Sequence, residues 1–173
     1  VGGVQYVAVL AGSGGGGWNF WMPGNVAAER GNDNRILAFR LDGGETPVPP
    51  LLPPVAPLPE PPAQVGTAAD IAAGGPLFGR NCAGCHANAP RAPVPDLRRS
   101  GIIREATAFQ AVVRGGSLQA RGMPSWDDLL TEAEVNQIHA YVVSVARRDY
   151  EQEQKAPGAG PASPAPAARE GHL

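Results

Sequence analysis

The sequence predicts a mainly α fold: a helical domain over residues 65–150, preceded by two short strands and a proline-rich linker and followed by a polar tail. Three observations carry that prediction. The 23 glycines and 19 prolines, about a quarter of the 173 residues, crowd into the first third and the last twenty residues, so a packed core must come from the middle. Capped, amphipathic helix patterns occur in that middle. The strand-like segments at the front number two, and a lone hairpin cannot bury its apolar face.

Residues 4–10 (VQYVAVL) and 35–41 (RILAFRL) form the strand patterns; in the second, Leu37, Phe39 and Leu41 alternate with Ile36, Ala38 and Arg40. GSGGGG, residues 12–17, formally matches G-x-G-x-x-G, but WNFWMPG follows it where a dinucleotide site needs a helix. A flexible loop is the better reading. Residues 1–42 therefore make an incomplete β segment and residues 43–64 the linker. Prolines there fix φ and remove donors, which excludes helix and central strand. A semi-rigid polyproline II spacer is expected, about 3.1 Å per residue where extended, in preference to an SH3-type ligand.

Within 65–150 the first helix is predicted over 67–80, with Thr67 as N-cap and Asp70 in the first turn, where its charge suits the dipole. EATAFQAVVR, 105–114, forms a second helix stopped by Gly115 and Gly116. Thr131-Glu132-Ala133-Glu134 is a capping box that opens a third, with Val135, Ile138, Val142 and Val145 as its apolar stripe. After Tyr150 the tail, 151–173, has nothing to bury and is expected to be disordered.

A net charge of −2 argues against nucleic acid or an anionic membrane as partner. No apolar run approaches the roughly 18–20 residues of a membrane span. The chain opens at Val1 with neither an initiator methionine nor a signal-peptide pattern, so a processed product or a fragment is expected.

Both cysteines lie in one window, Cys82-Ala-Gly-Cys85-His86, the C-x-x-C-H pattern of c-type haem attachment. Two thiols one tight turn apart can each join a vinyl group of one porphyrin, and the next residue offers its imidazole to the iron. A zinc site would need a fourth ligand that no second Cys/His pair supplies, and a thioredoxin-like site would need a βαβ context. The sixth position is either a thioether or open. Met22 lies beside a proline and tryptophans and is expected to pack; Met123 lies in RGMPSW, between the second and third helices. His139, beside the apolar stripe, is expected to be a half-exposed structural histidine, and His172 lies in the tail.

These flanks resemble the cytochrome c family. Gly74, Phe78 and Cys82 are spaced four apart as in the family's N-terminal helix, and Ile138-His139-Ala140-Tyr141-Val142 resembles the C-terminal helix that crosses it. The resemblance implies a class I cytochrome c-like helical haem domain in which Gly74 and Phe78 meet Ile138, Tyr141 and Val142. It implies that Phe78 packs beside the haem, that Met123 is the axial partner of His86, and that Trp126 forms a haem-side wall. It further implies that a proline carbonyl, from Pro95 in preference to Pro93, orients the His86 ring. Methionine–histidine ligation raises the iron's potential and closes the site to outside ligands, which suits electron transfer.

The front end extends the resemblance. GVQYVAVLAG, an asparagine-containing loop, RILAFRLDG and a proline linker into a haem domain resemble the end of the pyrroloquinoline quinone (PQQ) propeller in quinohaemoprotein alcohol dehydrogenases; VPDLRRSG, VVRGG and GMPSW follow in the same order. This implies that residues 1–42 are a two-strand remnant of a β-propeller. The chain would carry electrons by covalent haem c from PQQ to a cytochrome, a cupredoxin or a quinone-linked complex, in the periplasm. PQQ and calcium would belong to the parent propeller, and no catalytic residue is expected in this chain. The competing readings are a free-standing periplasmic cytochrome, a haem peroxidase or ligand sensor with an open sixth site, and a haem-free interaction module.

Overall fold

The computed structural model describes residues 2–11, 30, 35–86 and 94–156. The glycine tract, Trp18, Trp21, Met22, Pro93, His172 and the tail from residue 157 lie outside the described residues. The chain divides into two units: Val1–Pro53 with Ala89–Asp96, and Pro54–Asn88 with Leu97–Leu173.

In the first unit β1 (Tyr6–Ala11) pairs antiparallel with β2 (Arg35–Arg40), Tyr6 opposite Arg40 and Ala11 opposite Arg35. Both faces of the pair carry exposed apolar side chains: Leu10 and Ile36 on one, Val7, Val9 and Phe39 on the other. An alternating strand hides one face at most, so a ribbon that is apolar on both sides is patterned for burial between neighbours. Arg30 bridges to Leu51 and donates from Nη1 to the Pro49 carbonyl (2.5 Å).

The second unit is helical: α1 (Ala68–Asn81), α2 (Ala106–Val113) and α3 (Glu132–Lys155), with short 3-10 turns at Leu97–Arg99, Gly101–Arg104 and Gln119–Arg121. α1 and α3 both begin with a reciprocal capping box. Thr67 Oγ1 accepts from the Asp70 N–H while the Asp70 carboxylate accepts from the Thr67 N–H, and Thr131 and Glu134 do the same. Those backbone donors hold both carboxyls below the usual carboxylate range. The α1 box goes beyond the single cap predicted at Thr67.

α3 runs five residues past the boundary predicted at Tyr150. Charged residues sustain that last stretch. Arg147 pairs with Glu151 one turn on, Glu153 accepts a backbone N–H from Leu58, and Lys155 lies in the last turn, where a cation suits the dipole.

The core is the meeting of α1, α2 and α3. Ile103, Phe109, Val113, Leu130, Val135 and Ile138 are buried in one cluster with Val142, Val143 and Ala146. The α1–α3 crossing depends on Gly74. A Cβ there would fall on the Gln137 carbonyl and within 2.9 Å of Tyr141 Cβ, so only glycine lets the backbones come this close. One turn on, the Phe78 and Tyr141 rings lie 5.5 Å apart, tilted at 45°.

The second half of the linker differs from a free spacer, because residues 57–64 are fastened to the helical unit. Arg99, Arg104 and Arg147 donate to the carbonyls of Pro57, Glu60 and Pro62, and Gln64 Nε2 donates to the Ala140 carbonyl. Prolines without N–H groups leave their carbonyls in need of donors, and the helical unit supplies them.

A candidate haem-attachment site at the end of the first helix

The Cys-His motif is a continuation of α1. The Cys82 and Ala83 amides both donate to the Phe78 carbonyl (2.8 and 3.0 Å), and the Cys85 and His86 amides donate to the Cys82 carbonyl (3.1 and 2.8 Å). Residues 82–86 thus wrap as one tight turn. Gly84 faces open space, since a Cβ there would meet nothing within 4 Å.

The two thiols differ. Cys85 is exposed, whereas Cys82 is half-buried and packs against the core; neither is in a disulfide. Burial, and secondarily the nearby Cys85, push the Cys82 thiol up to about 11, so it is neutral at physiological pH. A thioether is equally neutral and apolar, so converting this thiol to one costs the core no charge burial. His86 is half-buried at the end of the same turn.

Met123 arrives from the loop after α2, and that loop is tied back to the helix. The Trp126 N–H donates to the Val113 carbonyl (2.8 Å), Ser125 Oγ to the Arg114 carbonyl (2.5 Å), and the Met123 N–H to the Leu118 carbonyl (3.3 Å). Arg114 also forms an ion pair with Asp127. Gly116, at φ +63°, turns the chain at the loop's start with Ser125 close against it. Met123 and Trp126 are half-buried against the cluster that receives Phe78 and Cys82. Four of the seven predicted site residues, Phe78, Cys82, Met123 and Trp126, therefore pack on one core, with Cys85 and His86 on the turn beside Cys82. Pro95 is exposed and belongs to the other unit.

His139 corrects an expectation. It is 3% exposed rather than half-exposed, its Nε2 lies 2.8 Å from the Ile103 carbonyl, and its ring stacks on Phe109 at 4.7 Å. It ties α3 to the segment that leads into α2. Its place one turn from both Val135 and Val143 was the sequence signal for burial.

The Arg98–Asp149 ion pair has no signature in the sequence. The two side chains meet at 3.0 Å, each 15% exposed, beside a crevice lined by Phe78, Leu97, Tyr141, Val142 and Val145. With the partners 51 positions apart, no local pattern marks them.

Comparison with known proteins agrees with this geometry. The family model for subunit III of cbb3-type cytochrome c oxidase matches residues 69–142. A cytochrome c6 from Euglena viridis is 31% identical over 83 residues, 42% of this chain and 90% of that protein. The chain belongs to the cytochrome c family. That membership brings haem c as cofactor and haem-mediated electron transfer as function.

This cytochrome is also similar to part of larger proteins. The quinohemoprotein alcohol dehydrogenase ADH IIB of Pseudomonas putida is 41% identical over 167 residues, 89% of this chain and 22% of that one. The dehydrogenase subunit of a quinone alcohol dehydrogenase from Komagataeibacter europaeus is 38% identical over 161 residues, 87% of this chain and 21% of that one. The solved structure of quinohemoprotein alcohol dehydrogenase ADHIIG from Pseudomonas putida HK5 superposes with a TM-score of 0.60 at 30% identity, covering 88% of this chain and 22% of that one. The chain thus spans about a fifth of the length of these relatives, and the matched share of this chain is larger than the helical unit alone. Among the described residues no helix is long and apolar enough to cross a membrane.

Proposed function

We propose that this chain is the electron-accepting cytochrome of a PQQ-dependent alcohol dehydrogenase in the periplasm, relieving the quinone site one electron at a time and delivering to a respiratory acceptor. Cys82 and Cys85 would hold the haem through thioethers, and His86 and Met123 would ligate its iron. Haem supplies one-electron cycling between ferric and ferrous iron.

The observation that carries this reading is the convergence of Cys82, from the end of α1, and Met123, from the loop after α2, on one apolar cluster. The chain's own residues do the rest. The turn at 82–86 sets the spacing of the thiols and the imidazole. The hydrogen bonds from Trp126 and Ser125 to the end of α2 hold the Met123 loop in place, and Phe78 and Trp126 keep water from the attachment side. PQQ and calcium belong to the dehydrogenase part of such an enzyme, for which residues 1–42 supply closing strands; similarity across both segments supports that assignment.

The test is the haem-loaded chain with Met123→Ala. The weak far-red band of methionine–iron ligation disappears and cyanide or carbon monoxide binds rapidly, as at an open site. A band that survives this substitution removes Met123 from the iron.

A further inference from the structure

The linker is held at both of its ends by different parts of the chain. At the front, Leu51 bridges to Arg30, whose guanidinium also takes the Pro49 carbonyl. At the back, three arginines from separate places in the helical unit each grip a linker carbonyl: Arg99 on Pro57 (3.1 Å), Arg104 on Glu60 (2.6 Å) and Arg147 on Pro62 (3.0 Å). Leu58 contributes its backbone N–H to the Glu153 carboxylate (2.7 Å), and Gln64 reaches the Ala140 carbonyl (3.1 Å). Between the two sets lie at most the five residues 52–56.

We propose that the helical unit carries an arginine rail for polyproline, that its occupant is residues 57–62 of this same chain, and that the linker works as a clamp whose give is confined to 52–56. The chemistry is complementary. A proline-rich segment presents carbonyls with few N–H groups to pair them, and guanidinium forks are pure donors. Polyproline II is extended before it binds, so docking it orders little that was free. The one leucine N–H inside the docked stretch meets a carboxylate. Arg104 and Arg147 come from the second 3-10 turn and from α3, and Arg99 from the first 3-10 turn, so the rail spans three elements.

The consequence is a working tether of at most five residues, about 15 Å fully extended, in place of the 22 residues read as linker. A short tether that spans its sites raises the effective concentration of one joined module about the other. The proposal does not depend on the function assigned to the cytochrome, and its test reads the linker itself.

Amide hydrogen exchange on the full haem-loaded chain measures it. Leu58 should exchange at least about tenfold more slowly than Ala56, and the triple variant Arg99→Ala, Arg104→Ala, Arg147→Ala should abolish that difference while leaving haem absorbance unchanged. Glu153→Ala, which removes only the acceptor of the Leu58 N–H, should accelerate Leu58 alone and decides the matter if the triple variant does not fold. A Leu58 amide as fast as Ala56 in the unaltered chain overturns the proposal. So does a slow Leu58 that is untouched by Glu153→Ala.

Discussion

Val135, Ile138 and Val143 of the helical unit are at most 1% exposed, whereas Leu10 and Ile36 of the strand pair are 83% and 69% exposed. The contrast reflects what each segment can close on. Three helices carrying complementary stripes bury a cluster among themselves, and Gly74 lets the crossing pair come into backbone contact. Two strands have a face on either side, and among the described residues apolar side chains on both faces stay exposed. The helical unit thus has a core of its own, whereas the described residues of the strand pair leave their apolar side chains exposed.

Substitutions in the two regions sharpen that comparison. The largest effect is expected from Gly74→Val, which forces side-chain atoms into the Gln137 backbone and parts α1 from α3. A loss of about 3 kcal/mol or more in denaturant unfolding is expected, with the haem environment disturbed as well. Ile138→Ala, which empties a position only 1% exposed, should cost about 2–5 kcal/mol in the same assay. Leu10→Ala in β1 should stay within about 0.5 kcal/mol, since its side chain is already in solvent. If Leu10→Ala and Ile138→Ala cost alike, the strand pair has a core of its own and the comparison fails.

The smallest effect is on acid stability. The Glu134 carboxyl is held below its ordinary value of 4.5 by the Thr131 N–H and hydroxyl, so its contribution is complete above that value and is lost as pH falls beneath it. Asp70 acts in the same direction at α1, from an ordinary value of 3.8. Glu134→Gln should flatten the acid limb of a thermal-stability profile and leave the neutral range nearly unchanged. An acid limb identical to that of the unaltered chain would remove the capping box as its source.

How much of this was legible follows from the distance over which each feature is encoded. The Thr131 box, the Cys82–His86 motif and the stripe at Val135, Ile138, Val142 and Val145 are local patterns, and all were readable as written. Gly74 was readable through resemblance, because a glycine in a helix announces a close approach without saying to what. His139 shares a face with Val135 and Val143, but the partner that lets its polar ring stay inside, the Ile103 carbonyl, lies 36 residues away and leaves no local pattern. The Arg98–Asp149 pair and the arginines that grip the linker join positions 42 to 85 residues apart, for which no periodicity exists. The extension of α3 to Lys155 was hidden by composition, since its last residues are polar and are held by charge pairs rather than by an apolar stripe.

The central claim is that the helical unit is a covalent haem module built on Cys82 and Cys85. Mass spectrometry of the denatured chain, produced with a c-type maturation system, tests it most directly. The account predicts one haem retained per chain, lost when Cys82→Ala and Cys85→Ala are combined. A chain that emerges at its bare polypeptide mass, with all haem released on denaturation, would contradict it.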